Sequence, residues 1–164
     1  MRLATHTALA VFILDQASKI IVVWYMGLAR KQTIDILPPW LNFRMAWNRG
    51  MNFGMFADNS DVTRWGLIVI ALAISAWVWI WMRREAHSRL MQVAAGLLIG
   101  GALGNVVDRL LYGAVADFLN MSCCGIENPF AFNVADVAIF LGAIGLVLFS
   151  GKDRPGAKPR RKTP

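Results

Sequence analysis

Four long hydrophobic runs follow one another along the chain, at residues 7–28, 65–82, 90–107 and 134–149. Each has about the length that an α-helix needs to cross a hydrocarbon core of roughly 30 Å, although the last run is on the short side. The second and third runs contain no charged residue. The pattern therefore predicts four transmembrane helices in one bundle.

The segments between these runs predict a small amount of other structure on the outer face. Residues 33–47 mix short alternating runs around a Pro-Pro break, and residues 112–119 again have an extended pattern, both typical of short strands. Phe53, Met55 and Phe56 favour a short interfacial helix. The predicted fold class is thus an all-α membrane protein, a four-helix bundle with a small extracytoplasmic β element, or cradle, and a short interfacial helix.

We interpret residues 1–151 as a single membrane domain, with outer loops at 29–64 and 108–133 and a basic, disordered tail at 152–164. In the third run, glycines recur every four residues, at Gly96, Gly100 and Gly104. Small residues at this spacing let helix backbones approach closely in lipid. We therefore expect these glycines to serve helix packing.

Composition agrees with a membrane protein, since 57% of the 164 residues are hydrophobic and only 16% are charged. The formal net charge is +7. The basic residues of the chain are concentrated in the tail and at Arg83, Arg84 and Arg89. The positive-inside bias places both regions, and hence both termini, in the cytoplasm. Anionic membrane lipid then accounts for the basic charge without a nucleic-acid partner.

Neither cysteine nor histidine predicts a metal site, and no cofactor is expected. Cys123 and Cys124 are adjacent, and because a disulfide between neighbours is strained, we expect them to be free. The two histidines have no further cluster of ligand residues beside them.

Ionisable groups inside the hydrophobic runs need a reason, because leaving water is costly. Asp15 and Lys19 lie four residues apart on one helix face, in the favourable order. They form either a neutralised pair that holds the first helix to its neighbours or part of a site. Asn105, Asp108 and Arg109 allow the same two interpretations, an ion-paired helix end or polar groups of a site.

Asn133 and Asp136 open the last run, and a helix start alone accounts for them. Asn133 suits the N-cap, and Asp136 then falls at the N3 position, where a carboxylate complements the positive helix end. The predicted topology adds that Asp117 lies near the same outer surface. Two aspartates in a partly dry site share a proton, and such a pair can activate water and protonate a leaving amine. These residues permit aspartyl hydrolysis of a peptide bond at the membrane surface.

Five motifs in the chain resemble, in order, those of the lipoprotein signal peptidase family, also called signal peptidase II, which are aspartyl proteases of bacterial inner membranes. They read DQASK, NRGMNF, GALGNVVDR, VADF and FNVAD, at residues 15–19, 48–53, 101–109, 115–118 and 132–136. The motifs are spread from residue 15 to residue 136, so the resemblance extends over nearly the whole chain except the tail.

The resemblance implies that Asp117 and Asp136 form a catalytic dyad. It further implies that four residues line the site and orient substrate and dyad, namely Asn48, Asn105, Arg109 and Asn133, while Asp15, with Lys19 and Asp108, supports the architecture. The implied reaction removes the signal peptide from diacylglyceryl-modified prolipoproteins, just before the lipidated cysteine. Inhibition by globomycin-type cyclic peptides is implied too, and a monomer is expected.

A small proton-coupled transporter is the alternative, since transporters also place Asp and Lys within the membrane. A transporter is expected to hold its charges near the bilayer midplane, often with repeat symmetry between its halves. Here the acids cluster at the outer edge and the sequence contains no evident internal repeat. A non-catalytic scaffold would explain the glycines and helix caps, but it gives no reason for Asp117.

Overall fold

The computed structural model describes residues 1–50, 60–84, 87–123, 125 and 128–150. Most of these residues are helical, in α1 (Arg2–Lys19) with a π-helical continuation (Ile20–Tyr25), α2 (Leu28–Lys31), α3 (Ser60–Arg84), α4 (Arg89–Tyr112) and α5 (Val134–Ser150). The interfacial helix predicted around residues 53–56 and the basic tail at 152–164 lie outside the described residues.

Three helices are long and apolar enough to cross a membrane, namely Arg2–Tyr25, Asp61–Arg84 and Arg89–Tyr112. The fourth predicted span corresponds to α5, a shorter apolar helix of 17 residues. At 1.5 Å per residue, α5 is about 25 Å long. The protein is therefore mostly helical, with three candidate membrane-spanning helices among the described residues.

Two helix ends differ from the predicted runs, and a glycine with a positive φ lies at each. The first helix ends at Tyr25 and not at residue 28, because Gly27 has a φ of 74° and turns the chain into α2. Helix α4 continues past residue 107 to Tyr112, where Gly113, with a φ of 73°, ends it and donates its N–H to the Arg109 carbonyl. Asp108 and Arg109 are consequently helical residues.

Helix α4 lies at the centre of the bundle and contacts α1, α3 and α5. Its glycines make these contacts close. A methyl group at Gly96 would lie 2.6 Å from the Ala4 carbonyl oxygen of α1, and one at Gly101 would lie 2.5 Å from the Ala135 carbonyl oxygen of α5. Gly100 likewise abuts the α1 backbone. The predicted packing role of the α4 glycines is confirmed.

A hydrophobic cluster closes one end of the bundle and includes Val78 of α3, Met91 of α4 and Leu146 of α5. The amino terminus lies at the same end, because its ammonium group donates to Gln92 Oε1 at 2.8 Å. The start of α1 and the end of α5 therefore share this end, and the opposite end carries the sheet.

The sheet is antiparallel and has three strands, β1 (Thr33–Leu37), β2 (Leu41–Asn48) and β3 (Val115–Asn120), in that spatial order. It confirms the predicted β element. Strands β1 and β2 form a hairpin around the Pro-Pro break. One sheet face packs on the first helix through Val23 and Phe118. In the β2–β3 register, Ala46 pairs with Asp117 and Asn48 with Val115, so the Asn48 side chain lies beside Asp117.

Cys123, in the segment after β3, is disulfide-bonded. The prediction of a free thiol at this position is therefore wrong. Cys124 lies outside the described residues.

Replacement of Gly142 tests the close contact between α4 and α5. A methyl group at Gly142 would lie 2.6 Å from the Leu98 nitrogen and 2.7 Å from the Ala94 carbonyl oxygen. Because both atoms belong to the α4 backbone, Gly142→Ala forces the helices apart, and we expect it to lower the free energy of unfolding by about 1–3 kcal/mol. The measurement is the thermal unfolding midpoint of the purified protein in detergent.

Gly66→Ala in α3 is the matched control, because nothing lies within 4 Å of a methyl group placed there. Alanine also has the higher helix propensity, so this variant should be as stable as the wild type or more stable. An equal loss of stability in both variants would contradict the packing role of Gly142.

Candidate active site

The polar residues singled out in the sequence meet where the end of α4 and the start of α5 approach β3. Asp117 lies on β3 and is only 2% exposed, while Asp136 lies in the first turn of α5 and is half-buried. Asn105 and Arg109 of α4 face the same region. The fold thus brings together two carboxyl groups from different secondary-structure elements.

The start of α5 holds Asp136 in place. The Asp136 N–H donates to Asn133 Oδ1 at 2.9 Å, and the Asn133 N–H donates to Asp136 Oδ2 at 3.2 Å. This reciprocal pair confirms the predicted helix cap. Asn105 Nδ2 donates to the other carboxylate oxygen, Asp136 Oδ1, at 2.8 Å. Both oxygens of Asp136 therefore accept hydrogen bonds at a helix end whose potential favours negative charge.

Asp117 has a different environment. Asn133 Nδ2 donates to its Oδ1 at 2.6 Å, and Asn48 Nδ2 donates to its Oδ2 at 3.0 Å. Burial raises the pKa of Asp117 to about 6, and the nearby charge of Asp136 adds to the rise, while the two amide hydrogen bonds oppose it. Asp117 therefore keeps its proton to a higher pH than an ordinary aspartate does.

Asparagine side chains connect the two carboxyl groups. Asn133 contacts both, because its side-chain Nδ2 donates to Asp117 Oδ1 while its backbone N–H donates to Asp136 Oδ2. The Asn133 Nδ2 also donates to Asn105 Oδ1 at 3.3 Å. The two asparagine side chains are therefore hydrogen-bonded to each other as well as to the aspartates. These short links fix where the two carboxyl groups lie relative to each other.

Arg109 contributes a positive charge to this region. Its guanidinium group interacts electrostatically with Asp136 and Asp117, and its Nη1 donates to the Asn105 carbonyl at 3.3 Å. Among the described residues, the ion pair of Asp108 is made with Lys19. Arg109 also interacts electrostatically with Asp108, but the close ion pair of Asp108 is made with Lys19 of another helix.

The end of α4 is instead capped by Arg64. This residue donates from Nε to the Arg109 carbonyl at 2.7 Å and from Nη2 to the Leu110 carbonyl at 3.0 Å. The sequence prediction placed Arg64 in an outer loop, and no local pattern indicated that its side chain reaches the end of another helix.

Asp15, Lys19 and Asp108 form a second buried group, which adjoins the first. Lys19 Nζ lies 2.8 Å from Asp15 Oδ2 and 2.8 Å from Asp108 Oδ2, and 3.4 Å from Asn105 Oδ1. The predicted pairing of Asp15 with Lys19 is present, with Asp108 as an additional partner. Gln16 also belongs to this group, although the sequence interpretation gave it no role, because its Nε2 donates to both aspartates at 3.1 Å.

Helices long enough to cross a membrane, with two differently held carboxyl groups brought together at one end, are typical of a membrane-embedded hydrolase of the aspartic type. The sequence model described as signal peptidase (SPase) II matches residues 7–151. The chain belongs to the signal peptidase II family, whose members are aspartic peptidases.

Individual relatives agree with this assignment. The lipoprotein signal peptidase of Methylorubrum extorquens (strain PA1) is 44% identical over 149 residues, which are 91% of this chain and 85% of the relative. That of Azoarcus sp. (strain BH72) is 41% identical over 160 residues, 94% of this chain and 87% of the relative. The family predicted from the five motifs is confirmed, and nothing supports the transporter alternative.

A solved structure has a closely similar fold. The bacterial membrane enzyme determined by the in meso method at 2.3 Å resolution superimposes with a TM-score of 0.77 at 28% sequence identity, and the match covers 98% of this chain and 94% of the other. The chain therefore has the fold of a bacterial membrane enzyme.

Replacement of Asn48 tests the electrostatics of Asp117. The Asn48 amide stabilises the charged form of Asp117 and so lowers its pKa. Asn48→Leu removes this hydrogen bond and keeps a side chain of similar size, so the pKa of Asp117 should rise above its present value of about 6. The measurement is a carbon-13 NMR titration of labelled aspartate carboxyl groups, with Asp117→Asn identifying the resonance. An unchanged or lower pKa would contradict the description of the site.

Proposed function

We propose that Asp117 and Asp136 are the catalytic dyad with which this member of the signal peptidase II family removes signal peptides from prolipoproteins. The observation that carries the proposal is the contrast between the two carboxyl groups. Burial raises the pKa of Asp117 to about 6, whereas Asp136 accepts two N–H groups at the start of a helix. Environments that differ in this way assign an acid and a base.

In the proposed mechanism, a water molecule lies between the two carboxyl groups. Ionised Asp136 removes a proton from the water molecule while the water oxygen bonds to the scissile carbonyl carbon. Protonated Asp117 donates a hydrogen bond to the developing oxyanion. When the C–N bond breaks, the proton taken by Asp136 passes to the leaving nitrogen, and the dyad returns to its starting state. No covalent nucleophile and no cofactor take part in this sequence.

The neighbouring polar residues orient the dyad and the substrate. Asn48 and Asn133 hold Asp117, while Asn105 and Asn133 hold Asp136. Arg109 adds a positive charge near both carboxyl groups. We propose that its guanidinium group donates hydrogen bonds to backbone carbonyl groups of the substrate. We assign to Asp117 the proton that the two carboxyl groups share in the resting enzyme, because burial raises its pKa; the titration itself belongs to the pair.

We also propose that residues 1–151 form one domain with four membrane spans, both termini in the cytoplasm and the dyad near the extracytoplasmic surface. Arg83 and Arg84 end α3 and Arg89 begins α4, at the end of the bundle opposite the sheet. The positive-inside bias favours the cytoplasm for that end. Helix α5, about 25 Å long, supplies the fourth span, and the basic tail at 152–164 lies beside anionic lipid.

The proposed substrate is a prolipoprotein that carries diacylglycerol on the cysteine directly after the scissile bond. Support comes from the relatives, which are named lipoprotein signal peptidases, and from the apolar side chains that α5 exposes toward lipid, such as Phe140 and Val147. A lipid-anchored substrate reaches a site of this kind from within the bilayer. We further propose that the enzyme acts as a monomer and that globomycin-type cyclic peptides block the same site.

Isosteric replacement of each dyad residue tests the catalytic roles. Asp117→Asn and Asp136→Asn remove the acid or the base and preserve side-chain size, so each should lower the cleavage rate at least about 100-fold. The measurement is the mass shift of diacylated prolipoprotein incubated with purified enzyme, with folding checked by thermal unfolding. Asp61→Asn, at an exposed position in the first turn of α3, is the control and should cleave normally. A folded dyad variant with wild-type activity would refute the dyad.

The lipid requirement has its own test. Purified enzyme should cleave diacylated prolipoprotein and leave the unlipidated precursor of the same sequence uncut, because the acyl chains hold the scissile bond at the membrane surface. The mass shift of each substrate after equal incubation is the measurement. Equal cleavage of both substrates would eliminate lipid-dependent specificity and leave the proposed dyad untouched.

A further inference from the structure

Two buried carboxylates outside the proposed dyad each hold the backbone beside one dyad residue. Asp15 Oδ1 accepts the N–H of Ala135 at 3.0 Å, and Asp108 Oδ2 accepts the N–H of Ala116 at 3.1 Å. Ala135 directly precedes Asp136, and Ala116 directly precedes Asp117. Each of these two supporting carboxylates therefore fixes the main chain next to one catalytic side chain.

Two residues from one turn of α1 join the two supporting carboxylates to each other. The Lys19 ammonium group lies 2.8 Å from an oxygen of Asp15 and 2.8 Å from an oxygen of Asp108. The Gln16 amide donates to the same two residues at 3.1 Å and to the Gly104 carbonyl at 3.3 Å. Lys19 is 5% exposed, Asp15 is fully buried and Asp108 is 1% exposed, so these bonds are shielded from water.

A third link runs from Lys19 directly into the site. Lys19 Nζ donates to Asn105 Oδ1 at 3.4 Å, while Asn105 Nδ2 donates to Asp136 Oδ1 at 2.8 Å. The ammonium group thereby selects one orientation of the Asn105 amide. The opposite orientation would turn the amide oxygen toward the carboxylate of Asp136 and its N–H groups toward the ammonium group, which is unfavourable at both ends.

We propose that Lys19 and Gln16 are positioning residues that set the separation of Asp117 and Asp136. They hold Asp15 and Asp108 at one spacing, and the amides of Ala135 and Ala116 transmit this spacing to the dyad. The inference rests on the proposed dyad. A network that served helix packing alone would need the ion pair between Lys19 of α1 and Asp108 of α4, but not carboxylate bonds to the two amides that precede the dyad residues.

The consequence for catalysis is geometric. One carboxyl group activates the water molecule and the other hydrogen-bonds the substrate carbonyl. The distance between water and carbonyl therefore depends on the separation of the two carboxyl groups. A misplacement of about 1 Å in an active site lowers the rate by about 100-fold. Loss of the bridge between the supporting carboxylates should therefore lower kcat, while KM should change little because Lys19 and Gln16 bind Asp15 and Asp108 within the bundle.

Gln16→Leu is the first test. The leucine has a similar volume and removes both amide donors, but the ion pairs of Lys19 remain, so the helix packing is kept. We expect kcat for diacylated prolipoprotein to fall by about 10- to 100-fold, with KM within about twofold of the wild type. Ser18→Ala is the control on the same helix, because the Ser18 hydroxyl donates only to a backbone carbonyl, that of Asp15, at 2.7 Å. The control should keep both constants.

The second test compares two substitutions of Asp108. Asp108→Asn retains an oxygen that can accept the Ala116 N–H, whereas Asp108→Ala has no acceptor there. At equal amounts of folded enzyme, judged by gel filtration and thermal unfolding, kcat of the Asn variant should exceed that of the Ala variant by about 10-fold. A role in packing alone would move the unfolding midpoint and leave kcat per folded molecule the same in both.

The outcomes separate cleanly. A folded Gln16→Leu enzyme with the kcat and KM of Ser18→Ala overturns the inference. If Gln16→Leu does not fold, the Asp108 pair decides, and equal kcat in its two variants overturns the inference. Asp117→Asn and Asp136→Asn are assayed in parallel. If they still cleave, the dyad itself fails, whereas their inactivity together with normal kcat in Gln16→Leu refutes only the positioning role.

Discussion

The arrangement of the polar residues at this end of the bundle depends on one buried ammonium group, that of Lys19, which is only 5% exposed. Lys19 is stable in the bundle because Asp15 and Asp108 each lie 2.8 Å from it, and the removal of Lys19 would leave two buried carboxyl groups without a compensating charge. The remaining hydrogen-bonding capacity of those two carboxylates reaches β3 and the start of α5. One ion triad thus ties four separate elements of the chain to one another at the end of the bundle that carries the sheet.

Close packing makes this triad possible. At Gly104 a methyl group would lie 2.5 Å from Asp15 Oδ2, so only a glycine lets α1 bring its acid against α4. The next residue of α4, Asn105, donates a hydrogen bond to Asp136 of the proposed dyad. Packing and chemistry are therefore coupled along one α4 face. The small residues that let the helices approach also leave room for the buried polar side chains. Hydrogen bonds and ion pairs between these side chains are stronger in low-dielectric surroundings than in water.

The two carboxyl groups of the proposed dyad differ because they lie on different secondary-structure elements. Asp136 stands at a helix start, where the backbone N–H groups and the terminal potential favour a charge. Asp117 stands on a strand under the bundle, 2% exposed, and receives its hydrogen bonds from side chains alone among the contacts that the described residues make. A sheet has little dipole of its own, so burial dominates there. The proposed roles of Asp117 as acid and Asp136 as base follow from this difference in secondary structure.

The sequence by itself determined the features that depend on neighbouring residues. The apolar runs set the helices, the cap of Asn133 on Asp136 spans one helical turn, and the glycine spacing marked the packed face of α4. Only the tertiary structure decided that Asp108 pairs with Lys19 and that Gln16 bridges two aspartates, since these contacts join separate helices. Local bonds follow from backbone geometry that a short stretch of chain imposes on itself. Long-range partners depend on how the helices cross, which no single stretch specifies.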